Sequence, residues 1–326
     1  MKRLVLIGGI AGLLLLTALI VYEGLPEVAG ALDRAGWPLL LLVPLHLVPL
    51  AFDTQAWRVL LAPADSERRA GMLFLLWVAA VREAVARLLP SVGIGGEVVG
   101  VRLVRLRVAD TTAISATIVL EVLVTIAVLY LFTALGLLLM ARLADGKGQL
   151  GIIAAGVLLS LPLPLLLAWL VRRGALFTQL HALALRLLGE GHPWALRLDG
   201  ARLDAEIGRL LAQRRRIAHA LCWQLPGYLL GAFETWYALL LLGHPVSASA
   251  AVAIEALTQA TRHATFIVPA SVGVQEAAVI LFGYVAGIGG DVALSLALVK
   301  RMREILFGVP ALLSWQWFEA RRLRTA

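Results

Sequence analysis

Apolar residues in this chain are gathered into long runs that charged residues rarely interrupt. Six runs, at residues 4–22, 39–61, 112–140, 150–171, 217–242 and 292–318, reach the length of about 20 residues that one helical crossing of a bilayer requires. Two further apolar stretches, 71–100 and 246–290, are broken by Pro and Gly. The first starts after Arg68-Arg69 and is followed by Arg102, Arg105 and Arg107, so its two ends lie on one side of the membrane. Its arms are short and carry Arg82, Glu83 and Arg87, which predicts a re-entrant helical hairpin over 71–107 with its tip at Pro90, Ser91, Gly93 and Glu97. Pro breaks the helix there and Gly lets the backbone turn. Irregular backbone at membrane depth requires a protein wall or a wet cavity beside it.

The stretch 246–290 repeats the plan around Pro269, Ser271, Gly273 and Glu276. In both stretches the Glu lies seven residues beyond the Pro, and an Arg, Arg82 or Arg262, stands about two turns before it. Phe52-Asp53-Thr54 and Phe233-Glu234-Thr235 precede their prolines by nearly the same distance, and a long apolar helix follows each hairpin. Counting crossings, the halves 1–171 and 217–326 enter from opposite sides. The expectation is an all-α polytopic membrane bundle forming a single integral domain, with two inverted repeats. That construction is used by secondary transporters, whose sites lie at mid-depth between the repeats.

Composition sharpens this. Of 326 residues, 60% are hydrophobic and only 15% charged, and the mean hydropathy is +0.88. Too little polar surface is left to cover a soluble globule. The net charge of +8 does not indicate nucleic acid, because the basic residues are sorted by side. Lys2, Arg3, Arg68, Arg69, Arg102 to Arg107, the segment 172–216 and Arg321 to Arg324 fall on one face, against Arg34, Arg142 and Lys147 on the other. The positive-inside rule then predicts a bacterial inner-membrane protein with both termini cytoplasmic. Residues 4–22 follow Lys2-Arg3 as a signal peptide would, but exceed its usual apolar core of about 7–15 residues and read as a retained helix. The lone Cys222 reads as packing.

The segment 172–216 is predicted as a cytoplasmic linker of two amphipathic helices on the leaflet surface, with Leu176, Leu180, Leu183 and Leu187 on one and Leu203, Ile207, Leu210 and Leu211 on the other. Arg214, Arg215 and Arg216 at its end fit either a site for anionic lipid headgroups or a plain topological anchor. Trp37, Trp57, Trp169, Trp223, Trp315 and Trp317 fall near helix ends, as interfacial anchors do.

Ionisable residues within membrane helices cost at least about 2.5–3.5 kcal/mol each, so they are expected to be paired or functional. One cluster holds Arg82, Glu83, Arg87, Glu97 and Glu121, and another holds Glu255, Arg262, His263, Glu276, Lys300, Arg301, Arg303 and Glu304. Two readings stand side by side. In one, Arg82, Arg87 and Arg262 grip an anionic headgroup while Glu97 and Glu276 balance charge or carry a proton. In the other, Arg82 pairs with Glu97 and Arg262 with Glu276 to lock the hairpins. Asp53 and Glu234 join the site or cap the hairpin tips. Some of Lys300, Arg301 and Arg303 must face inward, and His263 reads as a polar core residue. No Walker loop, HExxH, GxSxG or metal-spaced Cys or His is present, so no metal or cofactor is expected.

The turns from Arg82 to Glu97 and from Arg262 to Glu276, with the closing run Val299-Lys300-Arg301-Met302-Arg303-Glu304-Ile305-Leu306-Phe307-Gly308-Val309-Pro310, resemble the flippase-like transmembrane region of lysylphosphatidylglycerol synthases. Within that superfamily, the run from Phe266 through Pro269 and Gly273 to Glu276, together with the closing run, looks most like hopanoid-biosynthesis-associated membrane proteins. The resemblance implies movement of a lipid between leaflets, or support of hopanoid production alongside lipid-biosynthetic enzymes. The sequence ends at Ala326 without the soluble aminoacyl-transfer domain of a full synthase, so a transporter is expected rather than an enzyme. A membrane-embedded headgroup transferase and a non-catalytic scaffold are the alternatives.

Overall fold

The structure is a computed structural model that describes residues 33, 36–89, 95–143, 151, 155, 158, 162–188, 199–265, 268 and 271–325. The apolar run 4–22, Pro90, Gly93 and Pro269 lie outside the described residues. Within them, all regular structure is helical. In chain order the helices are α1 (Trp37–Leu61), α2 (Met72–Leu88), α3 (Gly95–Val104), α4 (Thr111–Leu143), α5 (Pro162–Arg172), α6 (Leu176–Leu188), α7 (Gly200–Leu211), α8 (Arg214–Leu241), α9 (Ala248–Ala264), α10 (Val274–Val285) and α11 (Gly290–Thr325).

Helix α1 opens as a 3-10 turn, Trp37–Leu41, where Gly36 at φ 59° turns the chain into Pro38. Helices α1 and α4 are long and apolar enough to cross a membrane. Helix α11, at 36 residues, spans about 54 Å, but its middle carries Lys300, Arg301, Arg303 and Glu304. Helices α2 and α3 have 17 and 10 residues, less than the crossing length of about 20. Leu89, the residue before Pro90, is extended (φ −101°, ψ 146°) and ends α2, because the proline ring disfavours helical geometry in its predecessor.

The packing pattern exchanges partners between the halves. Helix α1 lies against α8, α4 against α9 and α2 against α11, while α2 packs on α3 and α9 on α10. Small residues allow the tight crossings. A Cβ at Gly136 of α4 would stand 2.6 Å from Ala256 Cβ of α9, and one at Gly308 of α11 would stand 2.6 Å from Leu88 Cδ1 of α2. Such contacts hold membrane helices together where water supplies no drive. At the first hairpin a Cβ on Gly96 would sit 2.6 Å from the Arg82 carbonyl oxygen, so α3 passes close enough to bring Glu97 beside Arg82.

The segment 172–216 departs from expectation. Helix α7 turns Ile207 and Leu210 into a core shared with Ala116, Leu120 and Val124 of α4, rather than into a leaflet. Asp204 of α7 accepts from the backbone N–H groups of Phe177 (3.1 Å) and Thr178 (2.9 Å), fastening α6 to α7. Leu180 and Leu183 of α6 remain exposed. The expected linker also ends early, because Arg214, Arg215 and Arg216 form the first turn of α8. Trp57 is fully buried rather than interfacial, whereas Trp37, Trp169 and Trp317 are exposed.

Gly96→Ala is expected to destabilise the fold by about 1–3 kcal/mol, because the carbonyl its methyl group meets belongs to a rigid backbone. Gly71→Ala, with nothing within 4 Å, should be neutral. Thermal unfolding of the two variants in detergent micelles, followed by circular dichroism, checks the difference.

Candidate functional site

Helices α1, α2, α4, α8, α9 and α11 meet around a partly open cavity of about 270 Å³. Thr125 and Phe132 of α4 and Gln224 to Glu234 of α8 bring it near the midpoints of those helices. Five basic residues line it (Arg82, Arg87, Arg262, Lys300 and Arg303), with six acids (Asp53, Glu83, Glu97, Glu121, Glu234 and Glu255) and two histidines (His46 and His263).

Most of these charges are bound to one another. Arg82 donates to Glu121 at 3.2 Å and to Glu97, with its guanidinium 4.6 Å above the Trp57 ring. Arg87 meets Glu304 of α11 at 2.9 Å and Glu83, one turn back, at 3.5 Å. His46 bridges two carboxylates, with Nε2 2.9 Å from Glu83 and Nδ1 3.0 Å from Glu234. Arg303 donates to Glu234 at 2.9 Å and also contacts His46. Lys300 pairs with Glu255, which accepts further bonds from Thr235 (2.6 Å) and Gln259 (2.8 Å).

The expectation that both hairpin arginines pair with their own hairpin glutamates holds for Arg82 and Glu97 and fails for Arg262 and Glu276. The Glu276 carboxylate, wholly buried, accepts from the Gly273 N–H at 2.7 Å and from Arg301 at 2.9 Å. Gly273 adopts φ 78°, the left-handed conformation that suits glycine, and opens α10 there. Arg262 turns instead to Gln275 (3.4 Å) and to Glu304 at 3.7 Å. Glu276, Arg301, Glu304 and Gly273 do not line the main cavity, and Arg301 and Glu304 are themselves paired at 3.0 Å. Lys300, Arg301 and Arg303 all turn inward. Asp53 and Glu234 both line the cavity. His263, expected in the core, is exposed, and its Nδ1 lies 2.8 Å from the Gln259 carbonyl oxygen.

Sequence reasoning passed over His46, although an ionisable residue inside an apolar run was signal enough. Gln224 and Tyr228 also line the cavity and carried no such mark. Among the described residues, six buried side-chain polar atoms lack a hydrogen-bond partner. Four of them, Asp53 Oδ1, Arg82 Nε, Gln224 Oε1 and Arg303 Nε, belong to cavity-lining residues, as does Glu121 Oε2, which is ion-paired with Arg82 at 2.9 Å. Unmet groups concentrated in one place mark a space built for an occupant or for ordered water.

A family model described as the lysylphosphatidylglycerol synthase TM region matches residues 5–311. The chain belongs to this family. No curated protein and no solved structure gives a match. Membership in the lysylphosphatidylglycerol synthase TM region family makes this a membrane protein of lipid metabolism or transport. The two membrane-length apolar helices among the described residues, with exposed Leu131, Leu138, Tyr284 and Leu313, suit a lipid surround.

Lys300→Met leaves Glu255 charged and buried without its cation, and is expected to cost about 3–5 kcal/mol. Lys300→Met combined with Glu255→Gln should recover most of that. Denaturation of the single and double variants in micelles checks it, and a single variant as stable as the wild type would remove the pair from the account.

Proposed function

We propose that this protein moves an amphipathic lipid between leaflets, its headgroup passing through the central cavity while its tail stays in the bilayer. The observation that carries this reading is the charged, partly open cavity near the midpoints of α4 and α8, within a bundle whose outer surface is apolar. A volume of about 270 Å³ suits a headgroup better than a whole lipid. The exchange of helix partners between the halves supports the inverted-repeat arrangement, in which a mid-depth site is reached from either side.

The lining revises which headgroup fits. Arg82 and Arg87 are held by carboxylates, Arg262 has Glu304 at 3.7 Å, and six acids share the wall with the bases. An anion clamp is therefore a poor description. A polyhydroxyl or zwitterionic headgroup finds both donors and acceptors there, and a hopanoid or related polar lipid, the class to which the resemblance points, meets that requirement. In this reading the protein is a transporter, not an enzyme, in the bacterial inner membrane with both termini cytoplasmic. Arg214, Arg215 and Arg216, which with His219 line an open groove at the start of α8, then face anionic headgroups on the cytoplasmic side.

Reconstitution into liposomes with a fluorescent polyhydroxyl-headgroup lipid tests this. The wild type should speed its movement between leaflets. Arg82→Ala and Arg262→Ala should slow it about tenfold or more, the rate equivalent of losing one charge-assisted contact of about 1.5–3 kcal/mol. Movement no faster in wild-type vesicles than in protein-free ones would end the proposal.

A further inference from the structure

Each cavity-lining glutamate has a basic partner: Glu83 and Glu234 share His46, Glu97 and Glu121 share Arg82, and Glu255 holds Lys300. Asp53 has none, and its Oδ1 is buried without any hydrogen-bond partner. Titratable groups on the neighbouring helices share the cavity wall with it: Glu121 on α4, Glu83 and Arg82 on α2, Tyr228 on α8 and His46 on its own helix. An unpaired carboxylate away from water is neutralised by a proton or met by a cation.

Geometry chooses between the two. Oδ1 is buried on the side of α8, where a Cβ added at Gly227 would stand 3.1 Å from it. That oxygen has no room for an ammonium group, whereas a proton fits.

We propose that Asp53 carries an exchangeable proton that couples lipid movement to a proton gradient. This rests on the translocation reading above. A proton from water in the cavity binds the Asp53 carboxylate when the cavity faces one side, and returns to water when it faces the other. Bound, it discharges Asp53. Lost, it leaves a negative charge in the wall with no basic partner of its own.

The test uses the full chain in liposomes with a pH gradient imposed in either direction, and a fluorescent polyhydroxyl lipid as probe. Wild-type movement should depend on the direction of the gradient. Asp53→Asn should still move lipid but lose that dependence, and Glu67→Gln, in an exposed loop ion pair with Arg69, should keep it. Infrared spectra of purified protein give a second readout: a carboxylic-acid stretching band that titrates with pH and is missing in Asp53→Asn. Lipid movement indifferent to gradient direction in the wild type, or still gradient-dependent in Asp53→Asn, overturns the coupling and leaves translocation standing. Asp53→Asn that blocks only an amine-bearing lipid, with the polyhydroxyl lipid still gradient-driven, also overturns it and assigns Asp53 to the headgroup. Absence of movement under every gradient overturns translocation and coupling together, while the infrared band still decides whether Asp53 holds a proton.

Discussion

A charge taken out of water must be met by another charge or by several hydrogen bonds, and most of this structure is arranged by that requirement. Its consequence is clearest in α11, where four ionisable residues fall within five positions. Successive residues on a helix point about 100° apart, so Lys300, Arg301, Arg303 and Glu304 fan out over an arc of about 160°, nearly half the helix circumference. Lys300 meets Glu255 of α9, Arg301 meets Glu276 of α10, Arg303 meets Glu234 of α8 and His46 of α1, and Glu304 meets Arg87 of α2. A helix whose charges fan out this way needs protein across that half of its surface, and its neighbours there are fixed accordingly, while Ile305 and Leu306 stay exposed.

Close approach is the second half of the same requirement, because ion pairs form only where backbones come near enough for side chains to meet. Gly96 and Gly100 let α3 run against the backbone and side chain of Arg82, and Glu97 lies between them in the chain, beside that guanidinium. Gly308 lets α11 pass over Leu88 and Ala84, one turn from the pairing of Arg87 with Glu304. In lipid, where burying apolar surface against a neighbour gains little, small residues and polar contacts take over the work that a hydrophobic core does in water.

What the sequence disclosed and what it withheld divide along that line. Crossing lengths and helix breaks are local properties, so the runs at 39–61, 112–140, 217–242 and 292–318 correspond closely to α1, α4, α8 and α11. Partner choice is not local. Arg262 and Glu276 seemed matched because they flank one turn, yet the backbone N–H of Gly273 claims the Glu276 carboxylate and draws it toward Arg301. Trp57 lies near the end of its run but is sealed in by α2 and α4, with Arg82 over its ring and its Nε1 donating to Thr117 at 3.4 Å. The apolar stripe of α7 gave the right period and the wrong partner, since a helical face of Leu and Ile packs as well on α4 as on lipid. His46 was legible by composition alone, though its role between Glu83 and Glu234 belongs to three helices at once.

The cavity shows where the two halves stop being equivalent. Phe52-Asp53-Thr54 and Phe233-Glu234-Thr235 occupy corresponding places in α1 and α8, which pack against each other. At nearly the same remove further along the chain, Asp53 is followed by Glu121 on α4 and Glu234 by Arg303 on α11. Glu234 meets Arg303, whereas Glu121 is taken by Arg82 and Asp53 has no basic partner. In the translocation reading, a charge change at Asp53 acts on the contact between α1 and α8, the helices that join the two halves.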